Sequence, residues 1–589
     1  MKAAGQWGLV ALLALGAYGS ALAADSSKVL HVASPDIETL DPQQYNDDPS
    51  FEIISNIFEG LYEWDYLAAT PALAPVTAEG PPTISADGLT WTVRVKPGIY
   101  FTEDPAFNGK PRELVAQDFV YSIMRFLDPN LRRGGAPASA DLIVGARAVV
   151  DDARKTGSLD YDRPIEGLRA LDRYTLQMKL TRVNYPIAQA ILVYFACARE
   201  VIEAAHGDVR TRAVGTGPYQ LKEWKRGTRL VLEANPNYRS LAFPASGDPG
   251  RAALERTMRG KKLPQIGAVE VAFIEEDVTR LLEFERATLD VVVLRAEVAA
   301  RLLADNKLRP EYAARGIVRH VYTEPYIFAV YFNLADPVFG GMASDRIALR
   351  RAIALCFDRR TMIDVVYAGQ ALPANQLVPP GVAGHDPTLP PPPPADPAAA
   401  NALLDRFGYG KRDAEGYRLA PDGKRLLLTM SLRTAAISRE VATLWKKNLD
   451  TIGLRTDFHL VPFQDVIKEL EGGNFQVYYG GYGGTPFGYP PLWQIDGRQP
   501  LTVNVSRFRF PEAEKLVDAF FASPDEDGRV AAARKLSQIA ASYVPVMPTI
   551  FRQQNDFAQP WVQGYSAMRY ATYWKYLDID PTRQSQAQR

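Results

Sequence analysis

Between Arg425 and Gly483 the hydrophobic period switches repeatedly between two and 3.6 residues, and this alternation restricts the fold more tightly than any other stretch. "RLLLTMSLR", "LRTDFHLV" and "FQVYY" read as strands, with "SREVATLWKKNLDTIG" and "FQDVIKEL" as helices between them. Ser438 is expected to cap the first helix and Gly453 to stop it. A strand must return to its starting edge before it can pair in parallel, and a helix of this length makes that return. The segment is therefore a βαβαβ unit with helices packed on a parallel sheet.

Ligands of open α/β sheets sit beyond the carboxyl ends of the strands. Arg433 and Thr434 leave the first strand at that edge, and Phe463 follows the second. The third strand runs into "GNFQVYYGGYGGTPFGYPP" (Gly473 to Pro491), which carries five rings expected to be exposed (Tyr478, Tyr479, Tyr482, Phe487, Tyr489) and no charge. Three strand exits are thus expected to meet on one aromatic rim.

Upstream, "KVLHVAS" reads as a buried strand and "FEIISNIFEGLYEW" as a helix burying Ile54, Ile57, Phe58 and Leu61. "LTWTVRVKPGIYF" and "YTLQMKL" alternate as half-buried strands, and residues 134–160 look like an insertion. "PYQLKEWKRGTRLVLEANPNY" is expected as a hairpin turning near Arg226 and Gly227. "VEVAFIEEDVTRLLEFERATLDVVVL" is expected as a further βαβ unit, and Pro390 to Pro394 as a stiff spacer.

The first residues, "MKAAGQWGLVALLALGAYGSALA", have the form of a secretory leader, with Lys2 ahead of an apolar run and Ala21-Leu22-Ala23 as the cleavage signal. Cleavage after Ala23 leaves Ala24 as the mature start, so export to the periplasm without a lipid anchor is expected. In 589 residues, 67 Lys and Arg stand against 68 Asp and Glu with no basic stripe, which argues against a nucleic-acid partner. Cys197 and Cys356 each sit in an apolar or helical pattern and are expected as buried core residues.

Catalytic signatures are absent. There is no G-x-S-x-G, H-E-x-x-H, C-x-x-C or phosphate-binding G-x-x-x-x-G-K-[ST]. The five histidines lack metal-ligand spacing, and "GGYGGT" runs into Thr-Pro-Phe-Gly and not into a helix that could hold a phosphate. No cofactor is implied.

Several motifs, taken together, carry a resemblance: "LDP" (Leu40 to Pro42), "NIFEGLYEWD" (Asn56 to Asp65), "DGLTWTVRVKPGIYF" (Asp87 to Phe101), "NGKPRELVAQDFVYSIMR" (Asn108 to Arg125), "VGTGPYQLKEW" (Val214 to Trp224), "YFNL" (Tyr331 to Leu334), "RRAIALCFDR" (Arg350 to Arg359) and "QPWVQGY" (Gln559 to Tyr565). In order and spacing the chain resembles the bacterial extracellular solute-binding proteins of family 5, the oligopeptide- and dipeptide-binding receptors of ABC importers. "FTEDPAFNG" departs from that family's shorter link.

The resemblance implies an α/β, two-lobed clamp of the periplasmic-binding-protein class II kind with an extra inserted subdomain. On this chain lobe I would take 24–57, 186–322 and 558–589, the subdomain 58–185, and lobe II 323–557. Relatives that hold peptide ends carry an arginine and an aspartate in the strand-exit loop; those positions fall on Tyr479 and Thr485 here. Tyr482 and Phe463 stand where that subgroup has tryptophans. The expected site therefore has Tyr482, Phe463, Phe487 and Tyr479 as walls, Thr485, Thr434 and Ser50 as hydrogen-bonding groups, and Arg433, Asp47 and Asp48 facing any ligand charge. The implied partners are a small or peptide-like solute and an inner-membrane ABC permease, bound by a monomer that is not an enzyme. A sensor subunit needs the same clamp, and a secreted hydrolase would need a nucleophile that the chain does not display.

Overall fold

The computed structural model describes residues 24–68, 72–131, 137–246, 248–435, 437–483, 492–566 and 573–587; the leader expected at 1–23 lies outside them. The chain opens with strand β1 (Asp25–Ser34) and helix α1 (Asp48–Ile57), whose N-terminus is capped by Asp47. A four-stranded antiparallel sheet follows, made of β2 (Thr83–Ile84), β3 (Thr90–Arg94), β4 (Leu168–Ala170) and β5 (Thr175–Lys179) in the order β2-β3-β5-β4. Trp91 and Val93 turn inward from β3, as their alternation predicts, onto α2 (Ala116–Leu127). Residues of the expected insertion form α3 (Ala146–Thr156), which adds Val149, Val150 and Ala153 to the same core. That core also takes Ile187, Ile191 and Val201 from beyond the sheet.

Three further strands, β6 (Tyr219–Lys225), β7 (Arg229–Ala234) and β8 (Ile266–Phe273), join β1 in the order β1-β8-β7-β6. Strands β6 and β7 are the expected hairpin, and Gly227 takes φ +67° in its turn. The "GTG" ahead of it has a steric reason. A Cβ on Gly215 or Gly217 would lie 2.0 or 2.6 Å from the Ile57 carbonyl oxygen, so the loop can close over the end of α1 only without side chains there.

Helix α4 (Asp277–Glu285) leads to β9 (Val291–Leu294). Here the βαβ expectation is corrected. β8 pairs with β1 and β7, whereas β9 pairs antiparallel with a C-terminal strand of a different sheet, so the helix connects two sheets and does not cross over one. That larger sheet contains β9, β10 (Val318–Phe332), β11 (Ala371–Pro373), β12 (Leu427–Arg433), β13 (Arg455–Val461), β14 (Val477–Gly483) and β15 (Val546–Ala558). Its order is β9-β15-β10-β14-β12-β13, with β11 on β15. Helix α5 (Ser344–Cys356) packs beneath it.

The βαβαβ unit is present as read, with α6 (Ser438–Thr451) and α7 (Phe463–Gly472) between parallel β12, β13 and β14. Gly453 adopts φ +69° just after α6, as expected. Ser438 is not the cap, however; Ile437 holds that position, and the Ser438 hydroxyl donates to the Arg433 carbonyl at 2.6 Å.

Several motif residues bind distant segments together. Asp41 of "LDP" meets Arg125 of "SIMR", both buried, at 2.6 Å. Glu59 of "NIFEGLYEWD" accepts both terminal nitrogens of Arg239 at 2.7 and 2.8 Å and the Thr216 hydroxyl at 3.0 Å. Cys197 and Cys356 are free and buried, and burial pushes both thiols up to about 12.

Candidate functional site

Strands β10 and β15 form a long antiparallel ribbon, paired from Val318 with Ala558 to Tyr331 with Val546. The register breaks in the middle: Thr323 faces Gln553 and Ile327 faces Phe551, so Glu324, Pro325 and Tyr326 oppose Arg552 alone. Before the break the ribbon carries β9; beyond it, Tyr326 to Phe332 pair with β14.

A cavity opens on each side of this break. The first, about 330 Å³, lies between the end of β1, Asp48, Phe51, Glu52 and Ser55 of α1, and Tyr322, Glu324, Arg552, Gln554 and Asp556 of the ribbon. The second, about 320 Å³, lies between Arg295, Ala296 and Glu297 on one side and Tyr326, Phe328, Tyr367, Arg433, Phe463 and Tyr479 on the other. Arg552 and Gln554 border both, so the two cavities are neighbouring parts of one cleft floored by the ribbon.

Arg552 pairs with buried Glu324, and its guanidinium stands 5.9 and 5.6 Å from the Tyr326 and Phe328 ring centres. Burial opposes the charge on Arg552, but the adjoining Glu324 carboxylate outweighs it and raises the pKa. Arg433 stacks its guanidinium 5.1 Å from the ring centre of Phe463, which is 47% exposed. No carboxylate partners Arg433 among the described residues.

The expected site residues separate into groups. Phe463, Arg433 and Tyr479 line the second cavity, although Tyr479 does so from the core, 5.9 Å from Trp445. Asp48 lines the first. Asp47 caps α1, accepting the Ser50 backbone N–H at 2.7 Å and the Ser50 hydroxyl at 2.9 Å, so this pair holds the helix. Thr434 is exposed, its N–H donates to the Val461 carbonyl at 2.8 Å, and Ala435 borders the cavity in its place. Tyr482 faces away from the cavity. Tyr326 and Phe328 oppose Gly483 and Gly481 across the β10–β14 ladder, whereas Tyr482 opposes Ile327, and alternate residues of a strand point to opposite faces. Its ring packs 6.1 Å from Tyr331, and its hydroxyl donates to the Thr502 carbonyl. Thr485 and Phe487 lie outside the described residues.

The glycines of "YGGYGG" also find their reason. A Cβ on Gly481 or Gly483 would lie 2.6 or 2.7 Å from the Tyr326 ring, so their absence lets that ring lie across β14 as a wall of the cavity. Tyr326 and Phe328 escaped the sequence reading. The half-buried alternation of "EPYIFAVYF" could have revealed them, with Tyr326 and Phe328 intermediate and Ile327 and Ala329 fully buried.

Comparison with known proteins decides the family. The model for bacterial extracellular solute-binding proteins, family 5 Middle, matches residues 72–498. The chain belongs to this family. It is 25% identical over 580 residues to the periplasmic oligopeptide-binding protein OppA of Escherichia coli, covering 95% of this chain and 93% of that one. The periplasmic murein peptide-binding protein MppA of Escherichia coli is 24% identical over 562 residues, covering 93% and 91%. A solved structure of MppA in its unliganded open form superposes with a TM-score of 0.68 at 22% identity, covering 94% and 98%. HbpA2 from Haemophilus parasuis reaches 0.71 at 18%, covering 94% and 99%. The architecture is thus a mixed α/β, two-lobed clamp, and the family and these relatives are binding proteins. Among the described residues no helix is long and apolar enough to cross a membrane, and no three His, Cys, Asp or Glu are placed to hold a metal.

Proposed function

We propose that the mature chain is a monomeric periplasmic receptor of an ABC importer, exported by cleavage after Ala23 without a lipid anchor. It captures a peptide-like or amphipathic solute between two lobes and hands it to an inner-membrane permease without altering it. The observation that carries this reading is the cleft at the ribbon break, whose walls come from both halves of the chain. Relatives named for oligopeptides and murein peptides supply the solute class. Lobe I would comprise 24–57, 186–322 and 558–589, the inserted subdomain 58–185, and lobe II 323–557. The separate sheets β1-β8-β7-β6 and β2-β3-β5-β4 support the division of lobe I from the subdomain, whereas β9 joins the larger sheet that carries the lobe II strands, and the helices Tyr185–Leu192 and Arg199–Ala204 pack into the core of the subdomain.

A solute that touches both walls only when the cleft is shut has the differential affinity needed to shift the molecule toward closure. The test is native mass spectrometry of the mature chain mixed with a tryptic casein digest. Retention of discrete peptides, released with unchanged mass, is the expected result. An empty receptor would overturn the reading, and release of cleaved or modified peptides would replace it with an enzyme.

A further inference from the structure

The two cavities differ in charge. The second presents Arg433 without a carboxylate partner among the described residues, whereas the first is lined by Asp48, Glu52, Glu324 and Asp556 against two cations. Both of those cations have prior partners. Arg552 is held by Glu324, and Arg280 donates to the Ile274 carbonyl at 2.7 Å and lies 3.4 Å from Asp277. Glu52 and Asp556 are left with phenol donors: Tyr573 to Glu52 at 2.6 Å and Tyr565 to Asp556 at 2.7 Å.

Asp556 is the sharper case. It is 3% exposed, and one of its carboxylate oxygens, Oδ1, is buried without any hydrogen-bond partner. A buried carboxylate oxygen carries a desolvation cost that one neutral donor to its sister oxygen does not offset. A cation from outside the protein would offset it.

We infer that the first cavity is a subsite for a positively charged group of the ligand, an ammonium or guanidinium, received by Asp556 and Glu52. The inference rests on the receptor reading above and adds the charge and placement of one end of its ligand. The cavity volume, about 330 Å³, accommodates an amine and its adjoining carbons at the low end of small-molecule sites. Burial pushes the Asp556 carboxyl up to about 7 and raises that of Glu52 as well, and a nearby cation would favour the charged form of both. The titratable and charged groups around Asp556 are Asp48 and Glu52 from α1, Tyr322, Glu324 and Arg552 from the ribbon, His320 beside it in the ladder, Arg280 from α4, and Tyr565 and Tyr573 from the C-terminal segment.

The test uses the mature chain and one casein digest in three forms: untreated, amine-acetylated, and amine-guanidinated, the last keeping its positive charge. Binding is read by native mass spectrometry and by titration of tryptophan fluorescence. The expected result is that untreated and guanidinated pools bind and that acetylation weakens binding at least about tenfold, the scale of one charged hydrogen bond. Asp556→Asn and Glu52→Gln should each weaken the untreated pool similarly, while Asp422→Asn on a remote exposed turn should not. Wild-type affinity should rise from about pH 5.5 to about pH 7 as Asp556 ionises, and Asp556→Asn should flatten that slope. Equal binding of acetylated and untreated pools would overturn the subsite and leave the receptor standing. Binding of no pool would remove the receptor reading and the subsite with it. Should Asp556→Asn fail to fold, the comparison of pools on the wild-type chain decides alone.

Discussion

The Asp556 side chain stands at odds with its own solvation, and that has a consequence for stability. Its carboxyl is pushed up to about 7 in the folded chain, against 3.8 in the open chain. The native state therefore holds a proton that the unfolded state has released between those values, so stability falls as pH rises from about 4 to about 7. Three units correspond to at most about 4 kcal/mol. Asp556→Asn removes the ionisation, and without ligand it should raise the thermal midpoint most above pH 7, with the gain shrinking toward pH 4; calorimetry across that range checks it. Asp41 presents the opposite case. It is the counter-charge of buried Arg125, so Asp41→Ala strands a guanidinium and should cost about 3–5 kcal/mol, measured by urea unfolding, with the cleft itself untouched.

At the level of elements, the strand β14 shows both what could be read from the sequence and what could not. Its existence, its parallel partners and its place at the ligand edge all follow from the alternation of periods between Arg425 and Gly483, and the structure carries them as read. Which of its rings meet the cleft does not follow, because that depends on register. A shift of one residue exchanges the two faces of a strand, and pairing with β10 turns Tyr479, Gly481 and Gly483 to the cleft while sending Tyr482 to the opposite core. The partner strand lies about 150 positions away in sequence, and nothing local specifies the pairing. Asp47 and Ser50 show a related ambiguity: the residue types that contact ligands are also those that cap helices, and this pair caps α1. Four of the motifs behind the family resemblance tie distant segments together, through Asp41 with Arg125, Glu59 with Thr216, and the glycines beside Ile57. The glycines of β14 allow a direct check. Gly481→Ala places a methyl group against the Tyr326 ring and should destabilise by about 1–3 kcal/mol. The ring lines the second cavity, so its displacement should lower solute affinity further than stability alone explains. A thermal melt and a titration on the same variant separate the two losses.

For the whole molecule, the decisive element is the ribbon that both halves share. Three residues opposite one at Arg552 interrupt the ladder at the cleft, and Pro325 within the interruption has no N–H to donate. A second irregularity follows between Phe328 and Ala329, and a short interrupted stretch between longer paired ones is where a few residues would absorb the rotation if the proposed lobes close as units. Closure then depends on what the ligand reaches. By the division proposed above, each cavity draws on both lobes, the first through Glu52 and Asp556 and the second through Glu297 and Arg433, so a solute that fills both completes its contacts only when the cleft is shut and favours the shut form. A fragment confined to one cavity makes fewer of these contacts and shifts the population less. Small-angle scattering should therefore show a smaller radius of gyration with a retained casein peptide at saturation, and a lesser change with an amine-bearing fragment that fills the first cavity alone. Hydrogen exchange would report the same distinction, slowing around both cavities in the first case and only around the first in the second. No compaction with the full peptide bound would separate ligand capture from hinge motion and place the work of recognition in a cleft that is already closed.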